Sequence, residues 1–187
     1  MSQTELVAET PETDYVPMPY GTYEECLTWV GKKTEPERTR LPIELGMIRD
    51  FAGLVEDRNP CYWDPEVSKE IWGAQIAPAG LLRCMFCPPR WAPDTNRVAP
   101  IASQVPLPGR TLINVESSQT FLRPLRYGDY ITIVEEIAEI SPEKTTRLGR
   151  GHFVLTKTTY TDDSGEVIAT GYGRLLRFTP SGAEEAK

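Results

Sequence analysis

Between Ile43 and Val55 the apolar residues Met47, Ile48, Phe51, Leu54 and Val55 recur at helical spacing, which predicts an amphipathic helix. Pro60 disfavours helical backbone at Asn59, so this helix must end before it, and Asp57 falls on the turn that leaves it. Upstream, TYEECLTWVGKK reads as a short helix ending near Gly31, and TEPERTRL as a connector. Downstream, EVSKEIWG reads as a short helix closed by Gly73. APAGLLRCMFC reads as a mostly apolar helix with Pro78 close to its start, where a missing N–H costs little. A helix that is apolar nearly all round is normally buried.

The stretch PPRWAPDTNRVAPIASQVPLPGR carries six prolines and no periodicity, and is expected to be a long loop. After Gly109 the pattern changes. TLINVESSQTFL, YITIVEEIAEI, TRLGRGHFVLTKTTYTD and EVIATGYGRLLRFTP are long and rich in β-branched and aromatic residues, with RYGD and DDSG as turns. Helices first and long antiparallel strands afterwards predict an α+β domain, an antiparallel sheet wrapped around the central apolar helix. Such a sheet leaves open edges, and oligomerisation through them is the expected remedy. Residues 1–20 read as a flexible tail, 21–180 as a single domain and 181–187 as a second tail, without internal repeats.

At 187 residues the chain is long enough for one domain with a real core. No apolar run approaches the roughly 20 residues that span a bilayer, and the acidic N-terminus has no signal pattern, so a cytoplasmic, non-membrane protein is expected. A net charge of −7 argues against a nucleic-acid partner. Arg123, Arg126, Arg147 and Arg150 fall in one region and form either a solvated face or a docking site for an anionic ligand tail. The four cysteines read as free thiols. Cys84 and Cys87 form a C-x-x-C, but a zinc site needs about four ligands and the chain has one His, so they read as small hydrophobes in the apolar helix, with no metal. His152 reads as a strand residue with a satisfied hydrogen bond.

The segment IRDFAGLVEDRNPCYWDPEVSKEIWGAQIAPAGLL resembles the MaoC-like, or hydratase 2, branch of the hot-dog superfamily. The likeness lies in FA, D-x-N-P, a following acidic residue and Gly, and IAP-x-G. SSQTFLRPLRYGDYITIVEEI resembles the strand, GD turn and strand of the same domains, and GEVIAT and RFTP fit the last strand. WVGKK…RLPIELGMIRDFA is similar to the entry of the N-terminal MaoC dehydratase subgroup, so the resemblance runs from about Trp29 to Pro180.

The resemblance implies a hot-dog fold and (R)-specific hydration of a 2-enoyl thioester, or the reverse dehydration, with no cofactor beyond the CoA or acyl-carrier thioester that is the substrate. Family members place an Asp on the turn after the helix and a His five residues later, with a backbone N–H at the start of the central helix polarising the thioester carbonyl. Hydration needs such a base, an acid for Cα and an oxyanion stabiliser. Carried over, Asp57 matches the Asp and Asn59 and Pro60 the turn, while Tyr62 stands where the His belongs. A phenol of ordinary pKa about 10 is a poor base at neutral pH, although its hydroxyl can orient water. Ala77, Pro78 and Gly80 fall at the carbonyl-facing corner, and Arg123 and Arg126 are candidate contacts to pantetheine or phosphate.

Three readings follow. The chain is the degenerate half of a hydratase, shaping an acyl tunnel for long or bulky thioesters while a second hot-dog chain supplies the Asp/His pair. Alternatively it is a self-sufficient homo-oligomeric hydratase using Asp57, or an acyl-CoA-binding module without chemistry of its own.

Overall fold

The computed structural model describes residues 18–87 and 99–181. Along the chain the helices and strands are α1 (Tyr23–Leu27), β1 (Glu37–Arg38), α2 (Leu45–Leu54), α3 (Pro60–Trp63), α4 (Pro65–Trp72), β2 (Ile76–Ala77), α5 (Leu81–Met85), α6 (Ile101–Gln104), β3 (Thr111–Phe121), β4 (Leu125–Arg126), β5 (Ile131–Ile140), β6 (Lys144–Thr146), β7 (Gly149–Asp162) and β8 (Val167–Pro180). The main sheet is antiparallel in the order β1-β5-β7-β8-β3, with β6 also paired to β7, and β2 and β4 form a separate two-stranded ladder.

Local chemistry explains most boundaries. Thr22 and Glu25 form a reciprocal capping box at α1. Asp64 caps α4, with Pro65 as its first residue and Gly73 left-handed at φ 72° as its end. DDSG turns β7 into β8, with Gly165 at φ 84° and its N–H on the Asp162 carbonyl. The strand expected from Thr146 to Asp162 is interrupted at Arg147–Leu148, where β6 turns back into β7. Gly149 permits this turn at φ 144°, where any side chain would strike the Thr179 carbonyl.

Side chains alternate across the sheet, and one face carries the helices in two separate hydrophobic clusters. The first joins Ile48, Ala77, Leu81 and Leu82 to Ile131, Tyr160 and Ala169. The second joins Cys26, Ile101 and Ala102 to Ile137 and Val154.

The apolar helix expected over residues 77–87 is present as the shorter, five-residue α5. Leu81 and Leu82 are buried, but Arg83, Cys84 and Cys87 are exposed, so apolar composition all round did not mean burial all round. Phe86 ends the helix, and Pro88, the residue after Cys87, disfavours helical backbone at Cys87. The Cys84–Cys87 pair is thus solvent-facing rather than packed as small hydrophobes, and all four cysteines are free. Two further departures are short: α6 lies inside the stretch expected to be a loop, and β1 inside the expected connector. Residues 88–98 of that loop, and 1–17 and 182–187 of the two expected tails, lie outside the described residues.

Residues 18 and 19 are not a loose tail. Arg177, fully buried on β8, donates to the carbonyls of Met18, Pro19, Val105 and Gly109 at 2.7–3.0 Å. Beside it His152 is buried, its Nδ1 2.9 Å from the Ser141 carbonyl and its ring stacked on Tyr23. His152 therefore has the satisfied structural place expected of it.

Arg123 is the second buried guanidinium. It donates to Asp129 at 2.7 Å, Asp162 at 2.9 Å and the Pro124 carbonyl, and its Nε faces Glu166 at 3.4 Å without hydrogen-bond alignment. This cluster ties the β4–β5 turn to the β7–β8 hairpin. The Ser164 hydroxyl first, and then Arg123 and the N–H groups of Ser164 and Glu166, hold the Asp162 carboxyl down to about 2. Because that value lies below the ordinary 3.8, the contribution to stability is complete above pH 3.8 and lost as pH falls through about 2. Urea midpoints measured across this window should fall with acid in the wild type, and less steeply in Ser164→Ala, which returns Asp162 toward its ordinary value.

Candidate active site

The turn after α2 is a double-bonded helix end. Val55 caps the helix, the Glu56 N–H returns to the Gly53 carbonyl at 3.3 Å, and the Asp57 N–H returns to the Ala52 carbonyl at 2.8 Å. Closing this motif needs a left-handed residue, and Glu56 supplies it at φ 54°, among the described residues the one non-glycine with positive φ. The strain of about 1–2 kcal/mol for an L-residue there is sustained by the two hydrogen bonds that fix Asp57.

From that fixed point the next residues follow by local bonding. The Asp57 carboxylate accepts the Asn59 N–H at 2.9 Å, and the Asp57 carbonyl accepts the Trp63 indole N–H at 2.8 Å. Asn59 in turn caps α3 by accepting the Cys61 N–H at 3.1 Å, with Pro60 first in the helix. This short helix was read from the sequence only as a turn. It places Tyr62 half-buried against the first hydrophobic cluster. Burial raises the Tyr62 phenol above its ordinary value of 10, an interaction with the Asn59 side chain opposes that rise, and the charge of Asp57 adds to it. Tyr62 is therefore protonated at neutral pH and is a hydrogen-bond donor, not a base.

The opposite wall is the corner between β2 and α5. Ala77 and Pro78 are buried, and Ile76 and Ala77 pair with Arg126 and Leu125 of β4, which puts exposed Arg126 beside this corner. The Pro78 carbonyl accepts the Leu81 N–H at 3.0 Å, while among the described residues the exposed Ala79 and Gly80 donate no backbone hydrogen bond. Gly80 has ordinary helical φ, and its small size serves packing. A Cβ there would lie 2.6 Å from the Phe51 ring, so α2 and the α5 corner touch through Phe51. Gln75, which sequence reasoning passed over, clips the two walls together. Its amide donates to the Cys61 carbonyl at 2.7 Å and the Ile76 carbonyl at 2.8 Å, and its buried Oε1 has no partner among the described residues.

The structure thus brings Asp57, Asn59, Pro60 and Tyr62 onto one turn and Ala77, Pro78, Gly80 and Arg126 onto the facing corner. Arg123 is not with them; its charge is neutralised inside the fold. Arg147 and Arg150 lie in the β6–β7 hairpin, so the four arginines do not converge. Among the described residues no three His, Cys, Asp or Glu side chains come together as a metal site, and no helix is long and apolar enough to cross a membrane.

A short helix laid on one face of an antiparallel sheet defines a hot-dog domain. The chain belongs to the FAS1-like dehydratase domain family, whose model matches residues 28–171, and its hot-dog fold is shared with MaoC-like dehydratases. It is 34% identical over 174 residues to a probable enoyl-CoA hydratase alpha subunit of Thermomonospora curvata, covering 88% of this chain and 54% of that protein. It is 25% identical over 154 residues to the 3-oxo-4,17-pregnadiene-20-carboxyl-CoA hydratase alpha subunit of Mycobacterium tuberculosis, covering 80% and 49%. The chain therefore spans about half the length of these curated relatives. Its fold matches a chain of the ChsH1-ChsH2 complex from Mycobacterium tuberculosis with a TM-score of 0.71 at 20% identity, over 85% of this chain and 97% of that one.

The strained residue gives a direct check on the turn. Glu56→Gly relieves the left-handed penalty and should stabilise the protein by about 1 kcal/mol in urea unfolding, whereas Glu56→Val should destabilise it.

Proposed function

We propose that this chain is one hot-dog subunit of an (R)-specific 2-enoyl-CoA hydratase, or 3-hydroxyacyl thioester dehydratase, and that it is the half that shapes the acyl tunnel. In the hydration direction the oxygen of water bonds to Cβ of the enoyl thioester and a proton is delivered to Cα. A positioned base must take the proton from water, and donors must stabilise the enolate oxygen. The observation that carries the reading is Tyr62, a half-buried phenol, protonated at neutral pH, on the turn where the resemblance puts a basic His. Asp57 remains able to accept a proton or hold a water, but its turn lacks a second base. A partner hot-dog chain supplies the Asp/His pair in this reading, and the relatives' designation as alpha subunits supports it.

The sheet supports the same reading. Among the described residues edge strand β3 pairs with β8 alone, through ten of its eleven residues, with Val115 exposed at a β-bulge between Asn114 and Glu116. An open edge of this length can take up a second sheet on either side of the bulge. Ala79, Gly80 and Arg126 are the groups placed to meet the thioester and its pantetheine.

The test is co-expression with a hot-dog partner from the gene neighbourhood, followed by assays with crotonyl-CoA and bulkier enoyl-CoA thioesters. The isolated chain should be inactive and the pair active, and Asp57→Asn in this chain should leave kcat within about threefold, since a lost general base costs about 10²–10⁴. A loss of that larger size, or full activity of the isolated chain, assigns the chemistry to Asp57 itself. Thioester binding without turnover in every pairing makes the chain a binding module. Separately, Val115→Asp should leave the isolated chain folded, as seen by circular dichroism, and abolish co-purification with the partner.

A further inference from the structure

The four thiols of the chain fall into two pairs of opposite character. Cys26 and Cys61 are buried, and burial first, with the charge of Glu24 adding to it, pushes the Cys26 thiol up to about 11. Thiols held in this way are inert toward reagents in solution. Cys84 and Cys87 are both exposed, and they are the C-x-x-C that the candidate site does not use. Neither of the bland roles fits them. Small hydrophobes would be packed away, and among the described residues no further His, Cys, Asp or Glu gathers with them as a metal site.

The backbone holds the pair close. Cys84 lies within α5, Phe86 caps the helix, and the Cys87 N–H returns to the Cys84 carbonyl at 3.1 Å. A turn closed in this way keeps its two end Cα atoms within about 7 Å, and a disulfide spans about 4.4–6.8 Å between them. The Cys84 thiol points back to the Gly80 carbonyl at 4.0 Å and the Cys87 thiol to the Arg83 carbonyl at 3.5 Å. Both sulfurs therefore lean the same way along one side of the helix. Thiols are weak donors, so little is lost when they turn toward each other. Residues three apart on a helix have Cβ atoms about 5–6 Å apart, and a disulfide needs about 3.5–4.5 Å, so closure asks for an approach of roughly 1–2 Å. Cys87 lies past the last helical residue and is the freer of the two to make that move.

The same turn governs a marginal element. A helix of five residues is far too short to hold itself. α5 is kept in place by Leu81 and Leu82 in the first hydrophobic cluster, by Gly80 under the Phe51 ring, and by Phe86 against the ring of Tyr160 at 6.0 Å between centroids. Phe86 stands between the two cysteines in sequence, so a bond between them closes around the residue that anchors the end of the helix.

We infer that Cys84 and Cys87 are a reversible dithiol–disulfide pair that exchanges with low-molecular-weight disulfides, and that closing the pair orders α5. In the exchange one cysteine thiolate attacks a sulfur of the reagent, forming a mixed disulfide and releasing one thiol. The second cysteine then attacks the protein-bound sulfur, forming the internal S–S bond and releasing the second thiol. The chain gives up two hydrogens and two electrons, and the reagent takes both and leaves as two thiols. α5 begins at Ala79 and Gly80, so the state of the pair sets how firmly that corner is held. The inference stands whether or not the corner receives a thioester.

The test uses the folded full chain, first reduced and then exposed to oxidised glutathione, with intact mass, peptide mapping and amide exchange as readouts. The wild type should lose two hydrogens, retain no glutathione, and map the new bond to Cys84 and Cys87. Exchange in the peptide over residues 81–87 should slow by about tenfold, as expected for a cross-link around a loop this small. Dithiothreitol should restore the original mass and rate. Cys84→Ser and Cys87→Ser, both at exposed positions, should each stop at a single retained glutathione with exchange unchanged, and the double variant should take up none. Circular dichroism checks that all three are folded. A wild type that keeps glutathione, that reacts at Cys26 or Cys61 while folded, or that does not react at all overturns the inference. So does a closed pair that leaves exchange over residues 81–87 unmoved.

Discussion

The contact between the Phe51 ring and Gly80 fixes the two halves of the candidate site against each other. No side chain but hydrogen fits at position 80 with the ring where it is. Phe51 lies on α2, whose C-terminal end leads to Asp57, and Gly80 caps α5 beside Ala79, both exposed and, among the described residues, without a backbone hydrogen bond from their N–H groups. The gap between acid and N–H donors is therefore set by van der Waals contact, which is short-ranged and stiff. Gln75 adds a second clip through the Cys61 and Ile76 carbonyls, so the site is braced above and below.

Within that frame the turn is electrostatically one-sided. Asp57 and Tyr62 are close enough for the carboxylate to raise the phenol further, and Asn59 opposes that rise only in part. A carboxyl group beside a protonated phenol can hold a water, and the phenol can donate to that water but is a poor base for it at neutral pH. That division is in keeping with the proposed reading in which a complementary partner supplies the base. The strain retained at Glu56 fits a site whose backbone path matters more than its local energy.

The local parts of this architecture were legible in the sequence. The Asp57–Tyr62 turn spans six residues, so its capping Asn, its Pro and its acid all sit within one window. The four long strands announced themselves by β-branched runs, and Gly73 and DDSG by their turn chemistry. What the sequence hid was non-local. Arg123 looked like a candidate for an anionic ligand because its partners Asp129, Asp162 and Glu166 stand 6 to 43 positions away. α5 looked buried all round because a continuous apolar run does not say which of its faces meets the sheet. Glu135, Thr158, Gly171 and Gln119 likewise become neighbours only through strand register, and each reads alone as an ordinary strand residue.

Arg177 has a consequence for how the chain reaches this state. Its four carbonyl partners include residues 158 and 159 positions earlier, and a buried guanidinium is tolerable only once they surround it. During synthesis Met18 and Pro19 leave the ribosome long before β8, and they have no place to dock until the last strand has joined the sheet. The first described segment and the last strand must therefore be consolidated together, as a late, long-range step of the kind that slows folding. Order at the start of the domain is thus a report on completion of its end, and amide exchange in residues 18–20 would follow the same opening event as that of β8.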